Sequence, residues 1–191
     1  SVSVGAGNLV EATSLLFAGS DSGVWPEGLW PHAWALAAPV NVGSVLSPRF
    51  VWRYQVTNVA TAAPVIGTIA HELGHLLLDY PDFYDTDASD GDSEGVGEHS
   101  LMGSGNHLNG GRTPAPIDIY LKDFSGWADI TELGAGVVTV ETLTSTGNIG
   151  YRLRHPSISS EYFLVENRGP GDKWAQHSPD QGILIWHVDE A

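Results

Sequence analysis

Three residues near the middle of the chain could do chemistry together. His71-Glu72-Leu73-Gly74-His75 is an H-E-x-x-H sequence. On a helix, two histidines four residues apart stand on one face and can aim ring nitrogens at a single cation. The glutamate beside the first histidine then lies next to the metal without binding it, where it can take a proton from a metal-bound water. Zn²⁺ suits such a site because it accepts nitrogen ligands, has no redox chemistry and lowers the pKa of bound water toward ~7. The chemistry this spacing points to is hydrolysis, with His71 and His75 as ligands and Glu72 as general base.

A catalytic zinc needs a third protein ligand and an open position. The candidates that follow the motif are Asp79, Asp82, Asp85, Glu94, Glu98, His99 and His107. In one arrangement the ligand comes soon after the helix, beyond a sharp turn. In the other it is a glutamate on a second helix about twenty residues on, at Glu94 or Glu98, as in gluzincin-type peptidases. The stretch from Asp90 to Glu98 is rich in Gly, Asp and Ser and makes a poor helix. The first arrangement is favoured, with Asp82 ahead of Asp79.

These side chains need an element to carry them. Ile66, Ile69, Leu73, Leu76 and Leu77 recur at three- and four-residue spacing, which predicts a helix over 64–79 with one apolar face. Pro64 suits its first turn and Pro81 ends it by about Asp79. Gly74 inside this helix costs roughly 1 kcal/mol against Ala, so a packing reason is expected. Before the helix, Ser14–Ala18 reads as a buried strand and Phe50–Val56 as another. The Trp/Pro-rich stretch between them, with Trp25, Trp30, His32 and Trp34, reads as core and loop packing. After it come a loop over 80–112 and a helix around Ile117 to Phe124. Apolar runs at Val137–Leu143, Tyr162–Val165 and Ile183–Val188 then predict a β-rich end. The fold class expected is α+β, with residues 1–127 as a catalytic core and 128–191 as a β-rich C-terminal part of the same unit.

Four segments in order carry a resemblance. They are His71 to His75, Pro81-Asp82-Phe83-Tyr84-Asp85-Thr86-Asp87, Ser100-Leu101-Met102-Gly103-Ser104-Gly105, and a tail of Tyr162 to Arg168 followed by Gly182 to Glu190. Together they resemble the immune inhibitor A family of secreted bacterial metallopeptidases. The resemblance implies a zinc endopeptidase of metzincin-like fold, acting on polypeptide outside the cell. It implies an active-site helix on a small mixed sheet, Asp82 as third zinc ligand and Met102 in a Met-turn under the metal. Met102 is the chain's single methionine. The chain departs from the pattern in three places. Leu78 stands where metzincins have a turn-forming Gly, the run from His75 to Asp82 is one residue longer, and Ser104 replaces a Tyr two residues after the Met. Tyr84 could serve as transition-state donor in place of that Tyr.

The chain of 191 residues has net charge −15, and more than half of that charge falls between Asp79 and Glu98, where eight carboxylates meet no Lys or Arg. Clustered carboxylates in Gly/Ser-rich sequence suit Ca²⁺, so Asp85, Asp87, Asp90 and Asp92 are candidate calcium ligands, although the spacing is not that of an EF-hand. So acidic a balance argues against nucleic-acid binding, which needs a basic face. With no cysteine there is no disulfide and no thiol chemistry. No run approaches the ~18 apolar residues of a membrane span. A monomer is expected. Ser1 follows no signal-peptide pattern, which suggests a mature product or an excised piece. Two further readings stand beside the endopeptidase: a catalytically weak homologue that binds metal or polypeptide, and a gluzincin-type aminopeptidase.

Overall fold

The computed structural model describes residues 4–19, 29–59, 65–87, 89, 91–134, 148–169 and 171–191. Trp25, Pro64, Asp90 and the run Val137–Leu143 lie outside the described residues. The architecture is α+β, with two small mixed sheets and two α-helices among the described residues. Among the described residues no helix is long and apolar enough to cross a membrane.

The first sheet has the order β1 (Ser14–Phe17), β3 (Phe50–Asn58), β2 (His32–Asn41). β1 runs parallel to β3, and β2 runs antiparallel to it as an edge strand. The sequence-predicted β1 is present but not buried: Leu15 and Leu16 are 51% and 56% exposed. An apolar run makes a strand, but only a neighbouring layer buries it. The register of β2 shifts between Ala35 and Val40, around Pro39. An edge strand tolerates such a bulge and a residue that cannot donate to the ladder.

Helix α1 (Ile66–Leu78) packs against β3 and β2. Its buried face differs from the expected apolar stripe. Gly67, Thr68, His71, Glu72, Gly74 and Leu76 are buried, whereas Leu77 is half exposed. The more buried face carries His71 and Glu72, and α1 packs against β3 and the segment Ser104–Gly111.

Helix α2 (Ile119–Phe124) starts at Asp118, whose side chain accepts from Leu121 N. It joins two apolar clusters. Leu121 packs with Tyr80, Leu101 and Met102 below α1. Ile119 packs with Tyr162 and Leu164 of the second sheet. That sheet has the order β4 (Asp129–Glu132), β5 (Ile149–Arg154), β6 (Glu161–Arg168), β7 (Gly182–Asp189). β4 and β5 are parallel, and the remaining pairs are antiparallel.

Candidate metal centre

α1 presents His71 and His75 one turn apart with their rings nearly perpendicular, 88° between planes. Each ring is oriented through its far nitrogen. His71 Nδ1 lies 2.9 Å from Leu101 O, and His75 Nδ1 lies 2.5 Å from Tyr80 O. A carbonyl can only accept, so both Nδ1 atoms carry the proton and donate. The two Nε2 atoms are 3.1 Å apart. With each Nδ1 engaged on a carbonyl, Nε2 is the atom that each ring turns toward the shared gap.

Asp82 completes the group. Its Oδ1 lies 3.1 Å from each Nε2. That oxygen is buried and has no hydrogen-bond donor. Two imidazole nitrogens and one carboxylate oxygen thus converge on one small gap. Ligands about 2.0–2.1 Å from a tetrahedral cation stand about 3.3 Å from one another. The convergence and the orphaned oxygen fit a small divalent metal, and the N₂O donor set fits zinc. Among the described residues this is the one cluster of His, Asp or Glu able to hold an ion.

The turn that delivers Asp82 explains two departures in the sequence. The helix runs through Leu78, and Asp79 then adopts the left-handed conformation with φ 54 and ψ 32. Asp79 therefore makes the reversal that a Gly makes elsewhere, one position later, and Asp82 follows three residues on. The extra residue between His75 and Asp82 is this added helical position. Asp79 does not join the cluster. Its carboxylate turns away and accepts from Arg53 Nη2 at 2.7 Å, while the same nitrogen also donates to His75 O at 2.9 Å.

Glu72 is buried beside the two histidines and lines the same cleft. Burial raises its pKa, against the lowering effect of His71 and His75. Burial also raises the Tyr84 phenol, as does the hydrogen bond it gives Asp82, so it is held protonated as a donor. The Tyr84 ring stacks on His71, with centroids 6.3 Å apart and 13° between planes. Met102 is fully buried under the helix. A Cβ on Gly74 would stand 2.8 Å from Met102 Sδ, which is the packing reason for glycine there.

The cleft above these residues has a volume of about 540 Å³. Trp30, His32, Trp34 and Tyr54 form one wall of it. This corrects the reading of the Trp/Pro-rich stretch as core packing: His32 and Trp34 belong to β2, and Trp34 is 72% exposed. An exposed Trp on an edge strand was the missed signal, and sequence alone cannot distinguish it from a core Trp.

The other candidate ligands lie elsewhere. Glu94, Glu98, His99 and His107 are not in the cluster, which leaves the gluzincin arrangement without its glutamate. The acidic loop is engaged with its own backbone. Asp85 accepts from Asp87 N at 2.9 Å and from Ser93 N at 3.0 Å, and Asp87 accepts from Ser89 N at 3.0 Å. Asp85, Asp87 and Asp92 do not converge on a common point as calcium ligands would.

The chain matches the family model of the immune inhibitor A peptidase M6 catalytic domain over residues 19–128. The chain belongs to that family. As an M6 peptidase it falls among metallopeptidases, which hydrolyse polypeptides. The family match spans His71, His75, Asp82 and Met102 and ends just before β4. A search of curated proteins returned no match.

Proposed function

We propose that the chain is a zinc-dependent endopeptidase whose metal is held by His71, His75 and Asp82 in a metzincin-like site. The observation that carries this reading is the convergence of two Nε2 atoms and the orphaned Asp82 Oδ1 at mutual separations of 3.1 Å. When bound, Zn²⁺ would polarise the scissile carbonyl and make water nucleophilic near neutral pH.

The chain's own residues do the rest. Glu72 takes a proton from the attacking water and returns it to the leaving amine. Tyr84 is the donor to the oxygen that gains charge on attack. Met102 packs beneath the helix as the Met-turn residue. The outer edge of β2 borders the cleft and offers backbone groups to an extended polypeptide, while Trp30, Trp34 and Tyr54 receive its side chains. The reading takes the enzyme as exported, in line with its acidic, cysteine-free composition.

The test compares the native chain with Glu72→Ala on a denatured protein substrate, with zinc content measured in both. Equal zinc and a loss of roughly 10²–10⁴ in rate is expected. Full zinc with cleavage independent of Glu72 would leave a metal- or polypeptide-binding homologue in place of the enzyme.

A further inference from the structure

We infer that Arg168 and Glu166, on the second sheet, are positioning residues for the metal centre: they anchor the turn at residues 99–102, and that turn holds the metal ligands. The inference rests on the metal-centre reading above. Both residues lie beyond the segment that matches the M6 catalytic domain.

β6 alternates strictly. Tyr162, Leu164, Glu166 and Arg168 face inward and are buried, and Arg168 is 1% exposed. A guanidinium so deep needs partners, because an unpaired buried charge is costly, and both of its terminal nitrogens have one, while Nε has none among the described residues. Arg168 Nη2 donates to Glu166 Oε1 at 2.8 Å, and the guanidinium lies over the Trp186 ring at 5.5 Å. Glu166 Oε1 also accepts from Trp186 Nε1 at 2.9 Å and from Ile119 N, at the start of α2, at 3.4 Å. The other end of the guanidinium leaves the sheet, and Nη1 donates to the carbonyl of His99.

The four residues from His99 on form a relay. His99 O is held by Arg168. Ser100 Oγ donates to the buried Asp118 carboxylate at 2.6 Å and accepts from Met102 N at 3.1 Å. Leu101 O accepts from His71 Nδ1 at 2.9 Å. Met102 O accepts from Phe83 N at 2.8 Å, which fixes the backbone next to Asp82. Two residues of the turn are thus clamped from behind, and the next two hold His71 and the segment carrying Asp82. A shift of the turn would rotate the His71 ring and move the Asp82 strap together. The four-stranded sheet, outside the matched catalytic segment, is in this account part of the scaffold that sets ligand geometry.

The experiment uses the whole chain and the variants Arg168→Met, Arg168→Lys, Ser100→Ala and Arg152→Met. Arg152 sits on the same sheet and pairs with Asp123 and Glu132, away from the turn. Three quantities are measured: the Zn²⁺ dissociation constant by chelator competition, the visible spectrum of the Co²⁺-substituted protein, and the melting temperature. Arg168→Met should weaken Zn²⁺ binding by on the order of 10-fold, at the low end of what residues orienting a ligand contribute, and should alter the Co²⁺ bands. Arg168→Lys, with one contact in place of two, should fall between. Arg152→Met should lower the melting temperature with Zn²⁺ affinity unchanged. Unchanged affinity and spectrum in Arg168→Met, or equal weakening in Arg152→Met, would overturn the inference and leave the metal centre intact. If Arg168→Met fails to fold, Ser100→Ala decides: weaker Zn²⁺ binding supports the relay, and native affinity overturns it. A native chain that takes up no stoichiometric Zn²⁺ would overturn both readings.

Discussion

Replacing Gly74 by Ala should destabilise this protein, although the same change in most helix interiors stabilises. The gain is intrinsic: alanine is favoured over glycine in a helix interior by about 1 kcal/mol. The cost is local. The new Cβ would stand 2.8 Å from Met102 Sδ, 3.2 Å from Tyr80 Cδ2 and 3.4 Å from Met102 Cε. Met102 is fully buried among Tyr80, Leu101 and Leu121, so its sulfur cannot swing into open space. Overpacking of this kind costs about 1–3 kcal/mol. The cost therefore meets or exceeds the gain, and a net loss of about 1 kcal/mol is expected. For a chain of this size that lowers Tm by roughly 2–4 °C. Thermal unfolding of the native chain, Gly74→Ala, Met102→Ala and the double variant forms a complete cycle. In the Met102→Ala background both Met102 contacts are gone and only the 3.2 Å approach to Tyr80 stays, so the loss of Tm on adding alanine at 74 should shrink or reverse. A rise of several degrees in the native background would refute the claim that Met102 is pressed against the active-site helix.

Three further expectations follow from the same geometry. Asp82→Asn should lower zinc occupancy sharply at equal total metal, by elemental analysis after dialysis; full occupancy would move the third ligand elsewhere. Asp118→Ala removes both the cap on Leu121 N and the acceptor for Ser100 Oγ, and should cost on the order of 2 kcal/mol by denaturant titration. A loss near zero would mean the buried carboxylate holds neither element. Trp34→Ala, at an exposed wall of the cleft, should raise KM on polypeptide substrates several-fold with kcat little changed. A fall in kcat at constant KM would place Trp34 in the chemistry.

The helix that carries H-E-x-x-H was legible in the sequence because its signals are local. Pro81 marks its end, and H-E-x-x-H fixes which residues share a face. β3, β6 and β7 were legible for the same reason, as runs of β-forming residues. What stayed hidden depends on partners distant in sequence. The apolar spacing of α1 correctly predicted a helix but not its buried face: packing on β3 and on the segment after Met102 accompanies burial of His71 and Glu72, while Leu77 stays half exposed. Leu15 and Leu16 looked like core, yet no described layer covers them. The edge strand β2 was obscured by Pro39 and a register shift. The turn that brings in Asp82 looked one residue too long, because a left-handed Asp79 was not anticipated where glycine is usual. Arg168 read as part of a tail motif. Its bond to His99 joins residues 69 apart, which no local pattern encodes.

The measurement that reaches the central claim most directly is anomalous X-ray scattering from crystals of the native chain, recorded on both sides of the zinc absorption edge. The account predicts one strong zinc peak bounded by His71 Nε2, His75 Nε2 and Asp82 Oδ1, at about 2.0–2.2 Å from each. No peak there, or zinc held by other residues while Glu72-dependent cleavage persists, would contradict it.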